Sequence, residues 1–303
     1  AIARLLEGLR GVGSMNVTGK APLAGVMGWP VEHSRSPQLH RYWLEHYEID
    51  GAYIPLPVPP ESLEEALHTL PLLGFAGVNL TAPHKEAALT IVDEADLLSK
   101  RIGAVNTVTV QPDGTLKATN TDGFGFLENL QNGAPNWHAN LGPAVVIGAG
   151  GAARAIVVAL LDHGVREVRV VNRTEKRAAA LVSALGSSIK TYVWDALADA
   201  LADASLLINA TTLGMNGKPP LELDLGKLPT QAVVTDIVYS PLDTPLLRAA
   251  RARGNPTVDG LGMLLHQARP GFRAWFGERA KGDDVDPQVT TELRAYVSKD
   301  LGR

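Results

Sequence analysis

The stretch Val145–Arg154, VVIGAGGAAR, constrains the fold of this chain more than any other segment. A β-branched apolar run breaks abruptly into glycines, and Ala155 to Leu161 continue in helix-forming residues. That pattern predicts a strand, a tight turn and a helix start, the opening of a dinucleotide-binding unit. Gly148 lets the backbone turn sharply, Gly150 lets a pyrophosphate approach the main chain, and Ala153 lets the helix lie close to the strand. The segment Gly148, Ala149, Gly150, Gly151 and Ala152 is therefore the candidate phosphate cradle, with free N–H groups at the positive end of the helix dipole. Glycine-rich turns also occur without a ligand; the strand before and the helix after are what favour a nucleotide here.

At 303 residues the chain is too long for one typical core, so two domains are expected. A formal net charge of −4, with 20% charged residues, gives no electrostatic reason to expect nucleic acid or an acidic membrane surface as a partner. No stretch is long and apolar enough to span a bilayer, and no secretory signal pattern opens the chain. Without cysteine there is no disulfide, thiolate nucleophile or thiolate metal site, which suits a cytoplasmic protein. No HExxH or comparable ligand spacing occurs, so no metal is expected, and His33, His84 and His266 read as hydrogen-bonded packing groups.

From Pro22 the chain alternates strand-like and helix-like pieces. Strands are predicted at Leu23 to Met27, Ala52 to Val58 and Val78 to Thr81. Ser36-Pro37 reads as a helix start, with the serine hydroxyl at the N-cap and proline at the first helical position. A second helix is read at Ser62 to Leu70, and a hairpin turns at Pro112-Asp113-Gly114. Beyond Thr121-Asp122-Gly123 come a short helix, Phe126 to Leu130, and then the dinucleotide unit. Val168 to Val171, Leu206 to Asn209 and Val233 to Ile237 are apolar runs of the parallel-strand type, with a helix at Lys176 to Leu185. Helices at Gly260 to Phe276 and Val289 to Leu301 end the chain. The expected fold is α/β with two domains, a Rossmann-type doubly wound parallel sheet inserted into an α/β substrate domain. The substrate domain would span 15–121 plus 260–303, the dinucleotide-binding domain 122–259, and 1–14 would be an N-terminal extension without assigned function. Glycines 123, 125, 260 and 262 flank the domain crossings, either as hinges or as sites of close packing.

The second strand of the nucleotide unit ends in Asn172, Arg173 and Thr174, with Arg177 one helical turn on. An NAD site usually has Asp or Glu there to bind the ribose hydroxyl. Arginines suit the 2′-phosphate of NADP instead. The alternative is a basic solvated helix start, although cations there oppose the helix dipole.

Three polar clusters precede this unit: His33-Ser-Arg-Ser-Pro37, Asn79-Leu-Thr-Ala-Pro-His-Lys85, and Asn106-Thr107 with Asn120-Thr-Asp122. Ser36 alone reads as a helix cap, Asn and Thr at strand ends as turn formers, and a lysine as a solvated charge. Taken in order, however, GWPVEHSRSP, NLTAPHK, GAVNT, NTDGFGF, GAGGAAR, NRTEKR, NATTLGM, DIVYSPLDTPLL and GLGMLLHQA closely resemble the motifs of the shikimate dehydrogenase family, from about Pro22 to the Gly271 region. The resemblance implies NADP-linked interconversion of 3-dehydroshikimate and shikimate, a step of aromatic amino-acid biosynthesis. It makes Lys85 and Asp122 the catalytic pair and places Ser34 and Ser36 on the substrate carboxylate, with Tyr239 nearby. Asn79, Thr81, Asn106, Asp122 and Gln267 would bind ring hydroxyls. Asn209, Ala210, Thr211, Met215, Ile237, Gly260 and Met263 would lie along the cofactor near its nicotinamide end. Monomer and homodimer both stay open.

The chain departs from the family pattern at Leu80, Ala118 and Thr119, which are packing positions, and at Arg41, which would alter the rim of the pocket. Quinate-oxidising relatives often carry threonine at the position of Ser36 and an acidic residue near Asn172, and this chain has neither. A non-catalytic sensor on the same scaffold would have no need of both Lys85 and Asp122. In a hydride-transfer reaction, one positioned group can donate or accept the hydroxyl proton, worth on the order of 10²–10⁴ in rate. Lys85 can do both, although with a reference pKa of about 10.4 it would need burial or nearby positive charge to act as a base near neutrality.

Overall fold

The computed structural model describes residues 17–279 and 285–301, and the expected extension 1–14 lies outside them. The first sheet is built on three parallel strands, β1 (Leu23–Gly28), β2 (Ala52–Pro57) and β3 (Phe75–Leu80), with β1 in the middle. Two short strands that the sequence marks as a hairpin extend it, β5 (Thr107–Val110) antiparallel to β3 and β6 (Leu116–Thr119) antiparallel to β5, and β4 (Glu94–Ala95) closes the far edge. Helices α1 (Ser36–His46), α2 (Leu63–Thr69), α3 (His84–Ala87) and α4 (Leu97–Ile102) connect these strands.

Helix α5 (Asp122–Gly133) then leads to a second, fully parallel sheet of β7 (Ala144–Ile147), β8 (Val168–Val171), β9 (Ile189–Tyr192), β10 (Leu206–Asn209), β11 (Val233–Asp236) and β12 (Thr257–Val258). Its order is β12-β11-β10-β7-β8-β9, so the connections reverse direction between β7 and β10, the switch point of a doubly wound sheet. The strands β7, β8, β10 and β11 are buried along their whole length, which is why they read as unbroken apolar runs. Helices α6 (Gly151–Asp162), α7 (Glu175–Leu185), α8 (Leu197–Leu201) and α9 (Pro245–Ala252) cover them. The chain returns through α10 (Leu261–Phe276) to α11 (Thr291–Ser298), whose Leu293 and Val297 join Leu261, Leu265 and Phe272 in one core with Ala24 of β1 and Leu39 and Trp43 of α1.

Two local expectations are corrected. Ser36 is not the N-cap of α1: Arg35 holds that position, no side chain caps it, and the Leu39 N–H that a Ser36 cap would have taken bonds the Arg35 carbonyl at 3.0 Å. The helix expected at Phe126 to Leu130 begins earlier, at Asp122, and ends at Gly133. Gly123 and Gly125 hid that first turn, because glycine is a poor helix former.

They are there for proximity. A Cβ at Gly125 would lie 2.6 Å from Gln267 Cβ and 2.7 Å from the Met263 carbonyl, and one at Gly262 would lie inside the Asn129 side chain. One at Gly123 would meet the Ala155 carbonyl at 2.9 Å. Of the two readings of these glycines, close packing is the one the geometry favours, and it clamps α5 against α10 and α6.

Behind the second sheet a carboxylate sets the β11 end. Asp236 is wholly buried, and it accepts hydrogen bonds from Asn209 Nδ2 (2.9 Å), the Val238 N–H (2.9 Å) and the hydroxyl of Thr244 (2.8 Å), the residue that caps α9. Burial raises its pKa to about 6 from 3.8, against the opposing pull of these hydrogen bonds. A carboxyl that holds its proton more tightly when folded adds stability below pH 3.8, and that contribution is lost as pH rises through about 6.

The Asp236→Asn variant lacks this loss. Its unfolding free energy relative to the parent should therefore shift in its favour by on the order of 2–3 kcal/mol between pH 4 and 7, read by denaturant titration at each pH. A pH-independent difference would contradict the assignment. For the helix clamp, Gly125→Ala should destabilise by about 1–3 kcal/mol and lower Tm by several degrees, whereas a hinge role without steric contact predicts an unchanged Tm.

Candidate active site

A cavity of about 190 Å³ opens between the two sheets. Ser34 and Ser36 line it from the start of α1, Asn79 and Leu80 from the end of β3, and Thr81 and Lys85 from the following turn and α3. Asp122, the first residue of α5, enters from the crossing helix. Ile237 and Tyr239 come from the loop after β11, and Gly260, Met263, Leu264 and Gln267 from α10 and the residue before it. Sequence reasoning did not single out Val26 and Leu264 as walls, since an apolar residue in a strand or helix carries no mark that separates lining from core. Apolar walls with a few convergent polar groups are the ordinary make-up of a small-molecule site.

Lys85 and Asp122 are the only lining residues among Asp, Glu, Lys and Arg, and they meet: Lys85 Nζ lies 2.5 Å from Asp122 Oδ2. The other oxygen, Oδ1, accepts from Asn106 Nδ2 at 2.8 Å, and the Asp122 N–H donates to Asn120 Oδ1 at 3.1 Å. Asn106 itself is fully buried and does not line the cavity. Its Oδ1 accepts the Thr121 N–H at 2.9 Å, which can only donate, so its Nδ2 must face the carboxylate. That same amide nitrogen reaches Gln267 Oε1 at 3.2 Å. The structure therefore puts Asn106 behind Asp122, whereas the family pattern implied a contact with a substrate hydroxyl.

The two serines lie together, with Ser34 Oγ accepting the Ser36 N–H at 3.3 Å. Tyr239 also lines the cavity; its hydroxyl is pushed up in pKa by burial, a rise opposed by a hydrogen bond with the backbone of Arg35, the residue between the two serines, and by the Arg35 charge. Arg41 does not reach this rim: it pairs with Glu45 at 2.8 Å on the exposed face of α1.

The glycine-led turn expected to cradle phosphate adjoins the same space. Gly148 has φ +113°, a conformation L side chains avoid, and a Cβ on it would touch Thr211 Cγ2 at 3.0 Å. Gly150 is the N-cap of α6, no side chain caps the helix, and nothing lies within 4 Å of where its Cβ would be. The first-turn N–H groups therefore have no side-chain acceptor, unlike those of α4, α9 and α11, which Asp96, Thr244 and Thr290 cap. Ala149 is buried and Ala152 half-buried. A Cβ on Gly151 would sit 3.3 Å from Lys85 Cβ, so the cradle and the ion pair are neighbours.

Farther out, Arg173, Thr174 and Arg177 are exposed, and Asn172 ties the turn by donating to the Thr174 carbonyl at 2.8 Å. Arg177 approaches Glu86 of α3 at 3.5 Å. Asn209, expected along the cofactor, is buried; its amide donates to the Leu213 carbonyl and Asp236 while its oxygen accepts from Thr211. It shapes the loop that presents Ala210, Thr211 and Met215. Two of the three histidines expected to be packing groups are so: His84 Nε2 lies 2.8 Å from the Val58 carbonyl and His266 Nε2 lies 3.2 Å from Asn132, and burial lowers the pKa of each. His33 is exposed. Among the described residues, no group of three or more His, Asp or Glu is placed to hold a metal ion, and no helix is long and apolar enough to cross a membrane.

Comparison with known proteins agrees with this layout. Residues 26–108 match the model of the shikimate dehydrogenase substrate-binding domain, and residues 136–215 that of shikimate/quinate 5-dehydrogenase. A shikimate dehydrogenase (NADP(+)) of Paramagnetospirillum magneticum is 58% identical over 281 residues, covering 93% of this chain and 99% of that one. The solved structure of shikimate 5-dehydrogenase from Thermus thermophilus in complex with NADP(H) and shikimate has a TM-score of 0.80 at 37% identity, covering 92% of this chain and 99% of that one. Quinate dehydrogenase from Corynebacterium glutamicum in complex with NAD has a TM-score of 0.81 at 32% identity, covering 91% and 98%. By motif order, by fold and by likeness along almost its whole length, the chain belongs to the shikimate dehydrogenase family.

Proposed function

We propose that this protein is an NADP-dependent shikimate dehydrogenase, reversibly reducing 3-dehydroshikimate to shikimate. The observation that carries this reading is the Lys85–Asp122 pair, set in a cavity beside an uncapped, glycine-led helix start. In this reading the first sheet with α10 and α11 is the substrate domain and the second sheet the NADP domain.

The residues fit the dinucleotide. Gly148 to Ala152 and the start of α6 would receive the pyrophosphate, and Arg173 and Arg177 the 2′-phosphate. Thr211, Met215, Ile237, Gly260 and Met263 would flank the nicotinamide end. When bound, NADP supplies or accepts the hydride. Everything else falls to the chain. Ser34 and Ser36 orient the substrate carboxylate, with Tyr239 near them; Asn79, Thr81 and Gln267 hold ring hydroxyls. As ammonium, Lys85 donates a hydrogen bond to the ketone oxygen and passes it a proton as negative charge develops there. As amine, it takes that proton back in the oxidation. Asp122, pinned by Asn106 and Asn120, holds the lysine head at the reacting carbon and accepts a neighbouring hydroxyl.

The cysteine-free chain fits a cytoplasmic enzyme, and light scattering at assay concentration distinguishes monomer from homodimer. The direct test is oxidation of shikimate and of quinate with NADP⁺ and NAD⁺. Shikimate with NADP⁺ should have the highest kcat/KM, and equal turnover with NAD⁺ or with quinate would overturn the assignment. Lys85→Ala should lower kcat by about 10²- to 10⁴-fold with a modest change in KM, and a nearly normal kcat would remove Lys85 from proton transfer. Arg177→Ala should raise KM for NADP⁺ while leaving KM for NAD⁺ unchanged.

A further inference from the structure

Directly behind the cavity, outside its lining, stands Tyr53 of β2. It is 7% exposed, and its hydroxyl donates to Asn79 Oδ1 at 2.7 Å. Burial raises its pKa well above the usual tyrosine value, opposed by a hydrogen bond with the hydroxyl of Ser36. The phenol thus meets Asn79, a lining residue expected on a ring hydroxyl.

The Tyr53 ring is held from the side. His40 of α1 stacks on it face to face, with centroids 3.8 Å apart and planes 2° from parallel. Trp43, Phe272 and Trp275 close around His40 at centroid distances of 5.8 Å each. His40 is wholly buried, and neither ring nitrogen has a hydrogen-bond partner. Burial lowers its pKa to about 3, so it remains a neutral plane against which the tyrosine can only lie flat.

Asn79 has little freedom left. Its Nδ2 donates to the Asn106 carbonyl at 3.2 Å and to Thr107 Oγ1 at 3.1 Å. Because a carbonyl oxygen only accepts, the amide cannot be turned over without facing oxygen to oxygen. Both N–H groups are therefore spent inside the protein. Oδ1, with Tyr53 on one lone pair, has one more lone pair to offer.

We propose that Tyr53 is a positioning residue for substrate recognition, fixing Asn79 as a pure acceptor for a ring hydroxyl that must donate. The proposal deepens the reading of the cavity as the shikimate site and rests on it.

The test is Tyr53→Phe, which keeps the stack on His40 and removes only the hydroxyl. In the full-length protein, KM for shikimate should rise about 5- to 30-fold, the range that one buried hydrogen bond is worth, with kcat lowered less than about 3-fold. KM for NADP⁺ and Tm should stay near the parent's. An unchanged KM for shikimate would overturn the proposal, as would a parallel loss in kcat, in both KM values and in Tm, which marks a structural residue. A readout independent of turnover is the Asn79 side-chain amide in ¹⁵N-resolved NMR. Its protons should exchange slowly in the parent, and shift and exchange faster in Tyr53→Phe; an identical signal in both proteins overturns the proposal. A parent that fails to oxidise shikimate overturns the activity reading instead, and the amide signal still decides the role of Tyr53.

Discussion

A carboxylate held between an ammonium and an amide is the constraint on which the rest of this site depends. Asp122 takes Lys85 on one oxygen and Asn106 on the other, while its own N–H is taken by Asn120. Lys85 comes from α3, attached to the first sheet, and Asp122 from the helix that leads into the second. Removing charges from water costs several kcal/mol per ion, and their attraction offsets this only when the geometry is good and the remaining hydrogen bonds are made. Such a pair is weak evidence for stability. In the proposed reaction its value would lie in having a proton donor and its orienter in place before substrate arrives, so that no reorganisation is required.

The position of that pair follows from how closely the backbones approach. Gly125 and Gly262 let α5 and α10 lie nearly in contact, and Gly123 does the same for α5 and α6. Since Asp122 begins α5 and Gln267 lies on α10, this clamp sets the distance between one side of the cavity and the other. The absent Cβ of Gly151 lets Lys85 lie beside the phosphate loop. The doubly wound sheet brings its switch point, and so its nucleotide crevice, to the same edge. A ring held by Ser34, Ser36 and Asn79 would then face a nicotinamide extending from that crevice. The supporting residues act one layer back, where Asp236 shapes the loop bearing Thr211 and Tyr53 orders Asn79.

The parallel strands β7, β8, β10 and β11 and the helix after the glycines were legible because burial on both faces demands unbroken apolar runs. The edge strand β9, IKTY, was not, because its middle residues are exposed and Lys190 pairs outward with Glu167. The start of α5 was hidden by glycines that lower helix propensity but serve packing. Lys85, Asp122 and the serines could be located from motifs that resemble a known family. What motif order cannot report is which face an amide turns. Asn106 and Asn209 sit in such motifs, yet their hydrogen bonds are spent within the protein. Tyr53 was not singled out, since a tyrosine in a strand reads as core.

The most direct measurement is a crystal structure of the protein with shikimate and NADP⁺ bound together. The reacting ring hydroxyl should lie within about 2.6–3.2 Å of Lys85 Nζ, with Asp122 beside it and the nicotinamide on the opposite face of that carbon. A ring seated so that neither Lys85 nor Asp122 touches the hydroxyl next to the nicotinamide would contradict the proposed chemistry.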